Sequence, residues 1–310
     1  MTTFNLAREY RTPSPAGAPG GGPAKLSMLS PKLSSALTWI TLAMAVIYFL
    51  FPILWLVTAA SKSTSALFSS SGVGFSGPFE LFHNISLTFS YEGGVYGWWM
   101  LNSAIYAVGS SLIGCAIAAM AGFALAKYDF RGKRLLFATV LSGVLLPTTV
   151  LAVPLYLEFS RVHLVNTYWA VLLPSVVNPF GVYICRIYAA QAVPDALLDA
   201  ARLDGASEFR IFRTVGLHLM KPVLVTAFSF QVVAVWNNFL LPLIMDTSSH
   251  IFPLVLGIYE WNQVSQRGGA PPFIFNVILA GSLLAFLPLG IGFLFLQRSL
   301  RRGLAIGALQ

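Results

Sequence analysis

The chain alternates long uncharged apolar runs with short polar segments. Six runs contain no Asp, Glu, Lys or Arg: 37–60, 93–126, 135–157, 164–185, 223–245 and 268–297. A helix needs about 20 mostly apolar residues to cross a bilayer. Each run therefore predicts a spanning helix, over about 37–60, 97–126, 135–157, 164–185, 223–245 and 273–297. The second and last runs exceed a span, so their ends are expected at the interface or in a tilted helix. A shorter run, 251–259, is too brief to cross and contains Pro253; it predicts a loop. The expected fold is all-α, a polytopic membrane protein with six transmembrane helices in residues 34–310. Residues 1–33, rich in Pro, Gly, Ala and Ser, predict a flexible tail, because they lack the large apolar groups whose burial offsets the entropy of ordering. A cleaved secretory signal has an apolar core of about 7–15 residues close to the start. The first run is longer and later, and reads as an anchor.

Charge orients these spans. Cytoplasmic loops carry the excess of Lys and Arg. With the N-terminus inside, sixteen of the nineteen basic residues fall on the cytoplasmic side, and only Lys62, Arg161 and Arg267 fall outside. Both termini are therefore expected in the cytoplasm.

Composition excludes several classes. Soluble domains carry about 25% charged residues; this chain carries 10%, with 56% hydrophobic. The net charge of +8 is spread in short groups between apolar runs, unlike the single basic face of a nucleic-acid binder. Cys115 and Cys185 both lie inside runs and have no His at ligand spacing, so neither a disulfide framework nor a metal site is expected. The stretch GVGFSG, 72–77, matches G-x-G-x-x-G, but Pro78 follows where a helix should begin. No phosphate-binding loop and no cofactor are expected. Ion-coupled carriers usually carry an intramembrane Asp, Glu, Lys or Arg. These runs have none, which disfavours a secondary transporter.

One polar segment is longer than a connection needs. Residues 197–215 read LLDAARLDGASEFRIFRTV, between the fourth and fifth runs. Pro194 and Asp195 suit a helix start, and Leu197, Leu198, Ala200, Ala201 and Leu203 give it a flat apolar patch. Gly205 is the expected left-handed stop. Ser207 can cap a second helix with Glu208 in its first turn, and Phe209, Phe212 and Val215 fall on one side. Two readings stay open on these residues alone: a hairpin on lipid headgroups, helped by Arg202, Arg210 and Arg213, or an element fitted to a protein cleft.

The segment resembles the cytoplasmic motif of the inner-membrane permeases of binding-protein-dependent ABC importers: Glu-Ala-Ala, three residues, Gly, nine residues, Ile-x-Leu-Pro. Here Asp199, Ala200 and Ala201 are followed by Gly205 and then by Val215, Gly216, Leu217 and His218 at the family's spacing. The LDGA of 203–206 is similar to the version in carbohydrate-uptake permeases. The blocks NSAIYAV, FALAKYDFRGKRLL, VPLYLEFSRVHLVNTYWAVLLP, WNNFLLPL and FLQRSLRRGLAIGAL extend the resemblance over most of 95–309. Asp199 keeps the charge of the family Glu with one methylene less. His218 replaces the closing proline, which suggests that the second helix runs on toward the fifth span.

The resemblance implies a transport subunit rather than an enzyme. Its coupling loop, 191–217, would dock on a cytoplasmic ATPase dimer through Asp199, Ala200, Ala201, Asp204, Gly205, Phe209 and Phe212. It also implies a second permease subunit and an extracytoplasmic sugar-binding protein as partners, with sugar or oligosaccharide cargo and glycerol-phosphate-type cargo as the alternative. Sugars favour aromatic faces and amide or hydroxyl groups in a largely apolar site. The candidates within the runs are Asn102, Tyr106, Tyr156, Asn178, Tyr183, Gln231, Trp236, Asn237 and Asn238.

Overall fold

The computed structural model describes residues 31–70 and 72–305. All but the last three residues of the expected tail lie outside the described residues. All regular structure among the described residues is helical.

Contacts divide the chain after Ile53. Helix α1 is Pro31–Ala60; its side chains from Leu37 to Phe51 are apolar around the whole circumference and almost all exposed. A helix apolar on every side is one built for lipid or for the inside of a bundle.

From Leu54 onward the chain builds a packed helical body. Short α2, Thr64–Ser69, is capped by the Ser63 hydroxyl, which accepts from the Ala66 amide. Helix α3, Leu81–Ser90, turns sharply at Tyr91–Gly94, where Glu92, Gly93 and Gly94 are left-handed. Then α4, Val95–Ala104, a π-helical turn at Ile105–Gly109 and α5, Ser110–Lys127, make one helical path. Helices α6, Lys133–Leu145, and α7, Thr148–Arg161, follow. Next come α8, Tyr168–Val176, α9, Pro179–Ala192, α10, Asp195–Leu203, and α11, Glu208–Ile211. A second π-helical turn, Phe212–Gly216, leads into α12, Leu217–Trp236. Helices α13, Leu240–Met245, α14, Leu254–Gln266, and α15, Ile274–Ala305, complete the order.

Among the described residues, five helical stretches are long and apolar enough to cross a membrane, and a bent pair makes a sixth. That pair is α6 with α7, which meet at 105°, so the run 135–157 is not one straight helix. The break falls at Leu146 and Pro147, where the chain turns extended. The run 223–245 also differs from expectation. Its helix is continuous from Glu208 and stops at Trp236. Beyond that point the Asn237 side chain bonds back to the Val233 carbonyl, and Pro242 has no N–H to offer the Asn238 carbonyl. The run 251–259, expected as a loop, is mostly helix: Pro253 precedes the first turn of α14 rather than interrupting it.

Two apolar clusters hold the body together. At the end near Asp246, Tyr96 stacks on Trp261, and Trp99 lies tilted against Trp261 with ring centroids 4.6 Å apart. Gly257 makes room: a Cβ there would fall inside the Trp99 ring. At the end near Gly205, Phe123, Cys185, Leu198, Ile211 and Met220 pack together. There α5 lays Ala118, Ala119 and Gly122 against α9. A Cβ on Gly122 would collide with Cys185, the close backbone approach that small residues permit between spanning helices.

Candidate coupling segment and translocation pathway

The segment 195–216 is a helix, a left-handed glycine and a second helix. Pro194 stands just before α10, and Asp195 lies in its first turn. The helix ends with two reversed bonds, Gly205 N–H to the Arg202 carbonyl and Ala206 N–H to the Ala201 carbonyl, both 3.0 Å. Gly205 sits at φ +76°. This is the glycine-terminated helix end in which both bonds need a left-handed residue. The second helix runs from Glu208 through the π-helical turn into α12 without a break.

Ion pairs frame the turn. Arg202 bonds Asp199 at 2.8 Å and Glu208 at 2.9 Å, so it spans Gly205. Those two partners, Glu208 first, hold the guanidinium above its ordinary range. Tyr128 O–H donates to Glu208 at 2.7 Å; burial first, then that bond, push its phenol up to about 12. Lys127, its side chain only 5% exposed, reaches Asp195 at 2.8 Å. The end of α5 is thus tied to both α10 and α11.

The candidate residues divide between two faces. Ala201 is half-buried over the apolar cluster, and Phe212 is buried against Phe123 at 5.3 Å. Asp199, Ala200, Asp204, Gly205 and Phe209 are exposed. Phe209 and Phe212, expected on one side, have their rings 6.4 Å apart but differ in exposure. Leu203, 89% exposed, and Phe209, 66% exposed, project outward with Leu197 and Ala200. Lys127, Tyr128, Arg202 and Glu208 were not singled out as site residues. The three-residue spacing of Asp199 and Arg202 could have flagged one pair; the ties to α5 have no local signal.

The pathway candidates are less uniform. Asn178 caps α9 by accepting from the Gly181 amide, and donates to Gln231 at 2.8 Å. Gln231 in turn donates to the Ser175 carbonyl, so this pair bridges the break between α8 and α9 to α12. Tyr106 is buried and donates to the Ile251 carbonyl. Asn102 donates to the carbonyls of His250 and Phe252 and accepts from Tyr168. Trp236 lies in the aromatic cluster. Tyr183 stacks on Phe137, Tyr156 is exposed, and Asn237 and Asn238 sit at the break after α12, Asn237 exposed. The structure brings Asn178 and Gln231 together, and separately Asn102 and Tyr106, which both bond the segment 250–252.

Known proteins resemble this chain in sequence and in fold. Residues 114–306 match the family described as the inner membrane component of binding-protein-dependent transport systems. The arabinooligosaccharides transport system permease protein AraQ of Halalkalibacterium halodurans is 34% identical over 90% of this chain and 99% of its own length. The lactose transport system permease protein LacG of Rhizobium radiobacter is 26% identical over 90% and 98%. A solved bacterial ABC transporter that imports the acidic polysaccharide alginate has a chain of the same fold: TM-score 0.76 at 16% identity, over 86% of this chain and 96% of that one. The chain is a multi-pass membrane protein and belongs to the inner-membrane permease family of binding-protein-dependent transport systems.

Proposed function

We propose that this chain is a permease subunit of an ATP-driven sugar importer that forms a translocation path with a second permease. Its segment 195–216 docks on a cytoplasmic ATP-hydrolysing subunit and transmits that subunit's closure to the spans. The observation that carries this reading is the apolar face of Leu197, Ala200, Leu203 and Phe209, exposed on a segment whose opposite face is rooted in the core. An exposed apolar patch rimmed by charge marks a contact site, and the ties to α5 and the run into α12 give it a rigid connection to the spans. The excess of Lys and Arg in the loops at this end supports a cytoplasmic orientation with both termini inside. An oligosaccharide is favoured as cargo, because the AraQ relative shares 34% identity and a glycerol-3-phosphate permease of Yersinia pestis shares 27%.

Single cysteines test the orientation. A cysteine replacing Gly132 should react only from the cytoplasmic side, and one replacing Ser265 only from outside. Labelling of position 132 from outside intact cells would overturn the reading. ATPase activity stimulated by a sugar-loaded binding protein should appear only when this chain joins the ATP-binding subunit.

A further inference from the structure

Asp246 is a buried carboxyl with no hydrogen-bond partner among the described residues. It follows α13, outside the span that ends at Trp236. It is 4% exposed, and among the described residues no group donates to either oxygen. The side-chain donors that reach this segment from the α4 path bond its backbone carbonyls instead. Trp99 Nε1 donates to the Ser249 carbonyl at 2.7 Å, Asn102 Nδ2 to those of His250 and Phe252, and Tyr106 O–H to that of Ile251 at 2.8 Å. Every carbonyl from 249 to 252 is therefore held by a side chain of the α4 path. On the near side Asn166, itself left-handed at φ +59°, accepts from the amides of Thr247 and Ser248 at 3.0 and 2.9 Å and donates its own amide to the Met245 carbonyl.

Buried here without a partner, an ionised carboxylate is far less favourable than the neutral acid. We infer that Asp246 is the proton-binding pin of the segment 246–252: the segment seats fully only while this carboxyl is protonated, and loosens when it ionises. The charged or titratable neighbours do not replace the missing partner. Helix α13 packs against α7 and α8. Glu158 and Arg161 of α7 are exposed and paired with each other at 3.1 Å. From α8 comes Tyr168, whose O–H is given to Asn102. Tyr106, on the α4 path, gives its O–H to Ile251. The exposed His250 is the other titratable side chain on the segment.

Burial pushes the Asp246 carboxyl up to about 7. An acid whose pKa is raised on seating favours the seated state most at low pH. Seating weakens as pH climbs from the ordinary carboxylate value toward about 7, and is constant above it.

Hydrogen exchange of the amides of Thr247 and Ser248, on the full transporter in lipid nanodiscs and corrected for the intrinsic rate, reads this directly. Protection should fall between about pH 5 and about pH 7, by at most about tenfold per pH unit for one proton, and then level off. Asp246→Asn and Asp246→Ser should both give flat profiles, so a misfolded variant of one leaves the other to decide. His250→Gln should keep the fall. A flat profile in the unaltered chain, a fall that survives in either Asp246 variant, or its loss in His250→Gln would each overturn the inference.

Discussion

The Arg202 guanidinium closes the Gly205 turn by gripping Glu208 at both oxygens, Nε at 2.9 Å and Nη2 at 3.3 Å. The same guanidinium holds Asp199, so the acidic residue of the family motif is engaged within the segment. The turn is shaped by its backbone and braced by this pair. Because a Cβ at Gly205 meets nothing within 4 Å, only backbone strain opposes substitution there.

Gly205→Val should therefore weaken the turn by about 1–2 kcal/mol, the cost of forcing a β-branched residue left-handed. Gly205→Asn, which tolerates that conformation, should be nearly silent. Transport and ATPase activity of the assembled complex should fall for Val and persist for Asn. Equal loss in both would mean that the space around Gly205, rather than its φ, matters.

Lys127→Met removes the tie to Asp195. The carboxylate is 77% exposed, so the pair contributes at most about 1 kcal/mol to stability. The expected outcome is an almost unchanged thermal midpoint with transport reduced several-fold at normal membrane levels. The check is uptake set against a melting curve of the same preparation.

Gly257→Ala places a methyl where the Trp99 ring lies. Overpacking of this kind costs about 1–3 kcal/mol, so the variant should melt lower or express poorly. Gly268→Ala, at a position with open space, is the matched control and should leave the midpoint unmoved.

Gln231→Leu leaves Asn178 Nδ2 and the Ser175 carbonyl without their partner, and an unmade bond at a buried site costs about 1–3 kcal/mol. The main effect should be on stability, read by thermal unfolding. If stability is normal and the apparent affinity for cargo changes, Gln231 acts in the pathway rather than as a bridge.

Much of this architecture is legible in the sequence. The apolar runs announce the long helices because a bilayer demands about 20 uncharged residues, and Gly205 announces its own φ because two reversed bonds need it. What stays hidden depends on distant partners. Pro253 looks like a breaker until the start of α14 makes it an N-terminal proline. That Asn178 and Gln231 bond each other across 53 residues of sequence has no local signal. Nor does anything local show that Tyr106 and Asn102 bond the carbonyls of 250–252. Lys127, at the end of α5, looks in the sequence like one of a group of basic residues, and only folding brings it to Asp195.

The most direct measurement replaces the outward face alone. Leu203 and Phe209 are exposed, 89% and 66%, so Leu203→Asp with Phe209→Asp should not disturb the fold. In the purified complex reconstituted with its ATP-binding subunit and binding protein, the account predicts an unchanged melting curve. It also predicts loss of the ATP-binding subunit from the complex, or loss of cargo-stimulated ATPase activity. A double variant that retains the subunit and imports cargo at the normal rate would contradict the assignment of this segment as the coupling element.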